Sequence, residues 1–216
     1  MPAASSPNGS MIEGVTTSAS LPKQQSGSSL GLVCGPRRTA LTAVFRPHSG
    51  RAKLQPPSRV SGVVSLRPLS ESNRQAVEAL RVSPSQEQFV SSVADSLREA
   101  AEHPDAHALY WAVHADDTPV GFVMIADEVD SPEYIPHYLW KLLIDERYQR
   151  QGFGAATLDL IVEYFRGRPG VEVLTTSAAE GEGSPITFYE RYGFERTGEV
   201  HSDEVHSELV LRLKLR

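Results

Sequence analysis

Two hydrophobic periods alternate along the chain, and each change of period marks an element. From Val63 the apolar run Val63-Val64 through Leu66 reads as a first strand that stops at Pro68. Ser70 can cap a helix in which Ala76, Val77 and Leu80 share a face, and Val82-Ser83-Pro84 breaks that pattern. Phe89, Val93, Leu97 and Ala100 then recur at helical spacing, which predicts a second helix over about 86–102, ended by His103-Pro104. Ala108 to His114 and Val120 to Ala126 read as strands joined by the hairpin connection Ala115-Asp116-Asp117-Thr118-Pro119. Tyr138, Trp140, Leu142 and Ile144 alternate with Leu139, Lys141 and Leu143, a strand with one strongly apolar face. Ala155, Leu158, Ile161, Val162 and Phe165 mark a third helix closed by Gly167-Arg168-Pro169-Gly170, and Val171 to Thr175 is the next strand. Ser184-Pro185 opens a fourth helix that Gly193 ends, the serine offering its hydroxyl to an orphan N–H and the proline suiting the first helical position. Leu209, Leu211, Leu213 and Leu215 alternate with Val210, Arg212, Lys214 and Arg216, the clearest period-two pattern of the chain. The predicted order is β-α-α-β-β-β-α-β-α-β-β.

Residues 1–61 follow neither period. Residues 1–60 hold ten Ser and seven Pro, a composition that cannot bury enough surface to offset chain entropy, so this stretch is expected to be a disordered tail ahead of one domain at 62–216. Being Ser-rich, Arg-containing and almost free of acids, the tail could be an organellar transit peptide, although Arg is sparse before Arg37 and no amphipathic helix is evident; a dispensable extension or an early start codon is the favoured reading. The lone cysteine, Cys34, cannot form an internal disulfide and lies in the same stretch. No uninterrupted apolar run approaches the roughly 20 residues of a membrane-spanning helix, so a soluble, cytoplasmic protein without a membrane partner is expected. The net charge of -6 conceals an asymmetry: residues 1–60 carry seven Lys or Arg against Glu13 alone, about +6, leaving about -12 on the remainder. An acidic domain disfavours nucleic acid and attracts cationic ligands.

The segment richest in chemistry is Leu142-Leu143-Ile144-Asp145-Glu146-Arg147-Tyr148-Gln149-Arg150-Gln151-Gly152-Phe153-Gly154-Ala155, which joins a strand to a helix. Small residues at 152, 154 and 155 let the backbone approach a ligand closely. The helix start aims unpaired N–H groups and the positive end of its dipole at one spot, which is a pyrophosphate site. The segment lacks the Gly-Lys-Ser/Thr of a P-loop and the three glycines of a dinucleotide fingerprint.

Gln149-Arg150-Gln151-Gly152-Phe153-Gly154 resembles the Gln/Arg-x-x-Gly-x-Gly/Ala acetyl-CoA motif of the GNAT superfamily, in the strand-loop-helix position where that family carries it. The resemblance extends over nearly the whole chain from Val63, with two helices ahead of a hairpin and a Phe-Tyr helix near the carboxy terminus. More narrowly, Gln86-Glu87-Gln88-Phe89-Val90, Gly121-Phe122-Val123-Met124, Leu139-Trp140-Lys141-Leu142 and Gly181-Glu182-Gly183-Ser184-Pro185 look like bacterial spermine/spermidine-type members. The resemblance implies an α/β (α+β) GNAT fold, a central mixed, mostly antiparallel sheet of about six or seven strands with about four helices, and transfer of acetyl from acetyl-CoA to a primary amine. A homodimer through the last strands is a further family implication.

By the same resemblance, backbone groups of Leu142, Leu143 and Ile144 would bind the pantetheine arm and acetyl carbonyl, while Gln149, Arg150, Gln151, Gly152, Phe153, Gly154 and Ala155 would surround the pyrophosphate. From chemistry alone Tyr189 reads first as packing a short amphipathic helix with Phe188 and Tyr192; the resemblance reverses this, since Phe188-Tyr189 corresponds to the family's aromatic pair and makes Tyr189 the candidate general acid. Many members carry Asn seven residues before this tyrosine, where Glu182 stands here, and Ser184 is the substitute contact. Related polyamine enzymes place a glutamate two residues before the Leu142 position, where this chain has Trp140; Asp127, Glu128 and His137 are the other nearby choices of base. Gln86, Glu87 and Phe89 fall where the superfamily builds its acceptor groove, and Trp140, Tyr110 and Trp111 could add cation–π attraction to a bound amine or simply pack in the strand core. His103, His107, His114, His201 and His206 show no zinc-ligand spacing with cysteine, so no metal is expected. The expected acceptor is a polyamine or diamine; aminoglycosides, amino acids and protein amino termini stay open, as does a non-catalytic acyl-CoA sensor.

Overall fold

A computed structural model describes residues 62–127, 132, 134–202 and 207–216. The predicted tail 1–61, Glu128 and His206 lie outside the described residues. The order of elements is β1 (Val64–Pro68), α1 (Glu71–Glu78), α2 (Val93–Glu102), β2 (Ala108–Ala115), β3 (Thr118–Ala126), β4 (Tyr138–Ile144), α3 (Phe153–Arg166), β5 (Val173–Ala178), α4 (Ile186–Tyr192), β6 (Glu195–Ser202) and β7 (Ser207–Lys214). This matches the order read from the two periods. The strands form one seven-stranded sheet in the order β1-β2-β3-β4-β5-β7-β6, antiparallel throughout except for the central pair β4 and β5.

Each face of the sheet has its own core. On one side α3 and α4 pack Leu158, Ile161, Phe165, Ile186 and Tyr189 against Val113, Val123, Leu139, Leu174 and Leu211. On the other, α1 and α2 bring Val77 and Val93 against Phe122, Met124, Tyr138, Trp140 and Leu143. Burial at roughly 25 cal/mol per Å² of apolar surface on both faces supplies the main force that closes these layers.

Three expectations are corrected. The second helix begins at Val93 rather than near 86, because Pro84 opens only a short 3-10 turn and Ser92 provides the effective cap, its hydroxyl accepting from the Asp95 N–H at 3.1 Å. Phe89 is thereby released from a helical face. The second correction concerns β4. Met124 pairs with Lys141 but the next residue, Ile125, pairs with Leu139, so Trp140 is an extra residue, a β-bulge. Beyond it the faces exchange: Tyr138 and Trp140 lie on the α1/α2 side together with Leu143, whereas Leu139, Leu142 and Ile144 lie on the α3/α4 side. Ala76 is exposed, unlike Val77 and Leu80 with which its spacing grouped it.

A polar cluster fastens the far end of α3. Asp127, 2% exposed, accepts from Tyr164 Oη at 2.6 Å, faces His137 Nδ1 at 3.0 Å and pairs with Arg168 at 3.0 Å. Burial works to raise the Asp127 carboxyl, but hydrogen bonds from His137 and Tyr164 and the Arg168 charge outweigh it, holding the group below the ordinary carboxylate range. A depressed carboxyl contributes stability that is present above its unfolded pKa, about 3.9, and lost as pH falls through the lower folded value. In urea titrations of the full chain, Asp127→Asn should cost about 2 kcal/mol at pH 7 and lessen the loss of stability below pH of about 4. An acid limb identical in the two proteins would contradict this assignment.

Candidate active site

Tyr138 and Thr175 form the one paired position between β4 and β5, supported by the Thr175 N–H bond to the His137 carbonyl at 3.1 Å and the Thr176 hydroxyl bond to the Leu139 carbonyl at 3.0 Å. Beyond these contacts the strands part. The bulge at Trp140 bends β4 away, and the gap becomes a cleft of about 530 Å³. Its walls come from both faces of the sheet: Leu142, Ile144, Gly152, Gly154, Ala155, Phe188 and Tyr189 from the α3/α4 side, and Val82, Gln86, Phe89, Val90, Trp140 and Lys141 from the other.

At one end stands the start of α3. Gly152 precedes the helix with φ 92° and Arg150 has φ 60°, so the loop turns its backbone through left-handed residues before the helix begins. No side chain caps this end, and no acid lies in the first turn. The N–H groups at the start of a helix have no partner within it, and here they open onto the cleft at Gly152, Gly154 and Ala155. A Cβ at Gly154 would come within 3.2 Å of Phe188, so a hydrogen there lets α4 approach α3. Gln149 anchors the loop, its amide donating to the Ile144 carbonyl at 2.9 Å and to Gln86 Oε1 at 2.7 Å, which links the α3 loop to the segment ahead of α2.

Tyr189, 6% exposed, lines the cleft with its ring against Phe188 and Phe194 at 5.3 and 5.4 Å. Burial pushes its phenol up to about 12, opposed by a hydrogen bond with Thr176. The hydroxyl therefore keeps its proton at neutral pH.

On the α1/α2 side Trp140 Nε1 donates to Glu99 Oε1 at 3.1 Å, and Lys141 Nζ pairs with Glu99 Oε2 at 2.9 Å, with Lys141 3% and Glu99 6% exposed. The bulge explains how two consecutive residues reach one carboxylate on α2. Across the gap, the Tyr138 hydroxyl lies 2.5 Å from Ser177 Oγ, and Ser177 donates to Glu208 on β7. Burial first, and the Glu208 charge second, hold the Tyr138 phenol well above its ordinary value.

Of the residues singled out from sequence, Leu142, Ile144, Gln149, Arg150, Gly152, Gly154, Ala155, Ser184, Gln86, Phe89, Trp140 and Tyr189 line the cleft. The side chains of Leu143 and Phe153 are buried in the two cores, and Gln151 donates to the Arg147 carbonyl at 3.1 Å. Glu87 is exposed and borders a separate depression beside Asp95. Tyr110 is 39% exposed against Phe122, and Trp111 packs on Tyr164, so neither reaches the cleft. Asp127 and His137 are engaged with each other at the far end of α3. Ser184 donates to the Ala179 carbonyl at 2.7 Å and sits 3.4 Å from the Ile186 N–H, while Pro185 occupies the N-cap itself. Glu182 is exposed outside the lining. Tyr138, Lys141, Ser177, Glu208 and Glu99 escaped the sequence reading; Glu208 stands on the polar side of the leucine alternation in β7, the one local hint it offers.

An uncapped helix start at the mouth of a cleft between two splayed parallel strands is a geometry that favours an anionic group. The family model described as Acetyltransferase (GNAT) family matches residues 74–194, more than half of the chain. The chain belongs to this family and is an acetyl-CoA-dependent N-acetyltransferase. Among curated proteins it is 26% identical over 144 residues to the spermine/spermidine N(1)-acetyltransferase of Bacillus subtilis, covering 63% of this chain and 91% of the relative. Among solved structures, spermidine N-acetyltransferase from Vibrio cholerae in complex with CoA and spermine has a similar fold, with TM-score 0.52, 15% identity, and 70% and 95% of the two chains covered. The ribosomal-protein-S18-alanine N-acetyltransferase of Escherichia coli has TM-score 0.50 and 15% identity, with 71% and 94% covered.

A Cβ at Gly152 would meet nothing within 4 Å, so the demand there is conformational. Gly152→Ala places a non-glycine residue at left-handed φ, a strain of about 1 to 2 kcal/mol. Relief by turning the loop would weaken CoA binding about tenfold. Gly170→Ala, at φ 81° and equally open but outside the cleft lining, is the control: calorimetry should show weaker CoA binding for Gly152→Ala alone.

Proposed function

We propose that the protein transfers acetyl from acetyl-CoA to a primary amine of the polyamine or diamine class. The observation that carries this reading is the cleft between β4 and β5, which joins the uncapped start of α3 to Tyr189 and continues to an aromatic wall of Phe89 and Trp140 on the opposite face. Bound acetyl-CoA would supply the activated thioester. The N–H groups around Gly152, Gly154 and Ala155, with Arg150, would hold its diphosphate, and the free edge of β4 at Leu142 to Ile144 would align its arm in strand fashion.

Tyr189 serves as proton donor to the departing sulfur. Its raised pKa guarantees protonation, and its ring is fixed by Phe188 and Phe194, so little freedom is lost when substrates align. The apolar stretch of Val82, Phe89, Val90 and Trp140 suits the methylene spacers of a polyamine, and the acidic domain suits its charges. The Bacillus subtilis relative supports the same acceptor class.

The test is CoA release from acetyl-CoA across a panel of spermidine, spermine, putrescine, an aminoglycoside, an amino acid and a peptide amino terminus. Turnover is expected with the polyamines and, in Tyr189→Phe, to fall roughly 100-fold while CoA affinity by calorimetry stays at the wild-type value. Tight CoA binding without turnover of any amine would replace this reading with that of an acyl-CoA sensor.

A further inference from the structure

Charge is distributed unevenly along the cleft. Arg150 and Arg191 line it from the α3/α4 side, and Lys141 lies opposite with its charge paired to Glu99. Glu208 is the one carboxylate among the described residues that line it. Strand geometry decides which way Glu208 faces. Leu209, Leu211 and Leu213 of β7 belong with the α3/α4 core, so Glu208 projects to the α1/α2 side, where Trp140 and Tyr138 stand. Ser177 projects to that side too, because its neighbours Thr176 and Ala178 face α4: Thr176 bonds Tyr189, and Ala178 belongs to that core.

The hydrogen bonds here have a direction. Ser177 gives its only proton to Glu208, so the Ser177 oxygen accepts from the Tyr138 phenol. The hydroxyls form a relay, Tyr138 donating to Ser177 and Ser177 to Glu208, so one hydroxyl reaches the carboxylate. A carboxylate on the α1/α2 side of the cleft, beside Trp140 and across from the arginines of the α3/α4 side, suits a cation.

We propose that Glu208 receives the ammonium of the acceptor and takes its proton. The inference rests on the acetyl-transfer reading and assigns the base that reading lacks. One N–H proton of the bound ammonium passes to the Glu208 carboxylate, and the freed lone pair forms the bond from nitrogen to the acetyl carbonyl carbon. The bond from that carbon to sulfur breaks, its electron pair leaves with sulfur, and Tyr189 supplies the proton that makes the thiol. The nitrogen sheds its surplus N–H proton as the amide forms, which restores the Tyr189 phenol, and the proton held on Glu208 passes to water as the one net proton of the reaction.

The experiment compares wild type, Glu208→Gln and Glu208→Asp in the full chain, with acetyl-CoA and whichever amine of the panel above turns over best. Glu208→Gln keeps a hydrogen-bond acceptor for Ser177 but has neither charge nor basicity. Its kcat/KM for the amine should fall roughly 100-fold or more, with kcat and the KM for the amine both affected. Its CoA affinity by calorimetry should be unchanged, and Glu208→Asp should recover part of the loss. Wild-type kcat/KM in Glu208→Gln would overturn the assignment, and so would an equal loss of CoA affinity, which would mark Glu208 as a strut for the cleft. Absence of turnover by wild type with every amine would overturn the acetyl-transfer reading itself, and this assignment with it.

Discussion

One extra residue in a strand governs the architecture of this molecule. With Trp140 inserted between the pairs that Leu139 and Lys141 make with β3, strand β4 cannot stay alongside β5, and the only parallel neighbours in the sheet separate after a single pair. Everything associated with chemistry lies in or around the resulting opening. A continuous ladder would have filled that space with backbone hydrogen bonds and left the start of α3 facing a closed sheet.

The bulge also has an energetic counterpart. It turns Trp140 and Lys141 together toward α2, where Glu99 accepts from the indole and pairs with the ammonium. A buried ion pair gains little net stability, since desolvation offsets most of the attraction, but it penalises arrangements that leave one partner alone. A slip of β4 by one residue would do that, so the pair holds the irregular register in place. The cleft thus gains a wall that is charged in composition yet paired at Lys141.

Much of the fold was legible because its signals are local. The leucine alternation of β7, the spacing of Leu158, Ile161 and Phe165 in α3, and the proline and glycine boundaries each depend on residues within a few positions of one another. The glycine loop ahead of α3 was legible for the same reason: Gly152 and Gly154 stand in the segment they shape. The bulge was not, since an added residue between apolar neighbours leaves the alternation of Tyr138, Trp140, Leu142 and Ile144 intact on paper while reversing the faces beyond it. The start of α2 was misplaced because Phe89 fits the helical period yet turns into the cleft. Glu99 and Glu208 escaped notice because each acquires its meaning from a partner far along the chain: Lys141 lies 42 positions after Glu99 and Ser177 lies 31 before Glu208.

The scarcity of bonds between β4 and β5 has a mechanical corollary. Strands β1 to β4 form one antiparallel ribbon and β5 to β7 another; α3 packs on the first over β1 and β4 and reaches across the seam through Arg166, whose Nε donates to the Leu215 carbonyl beyond β7 at 2.8 Å. The helix is the rivet of the sheet. Its near end faces the cleft and its far end is tied by Tyr164 to Asp127 at the end of β3, so a load placed on the start of α3 is carried along a rigid rod into the ribbon beyond. Cooperative integrity here comes from a cross-member rather than from the ladder it spans, and the seam is the natural line along which the two ribbons would come apart.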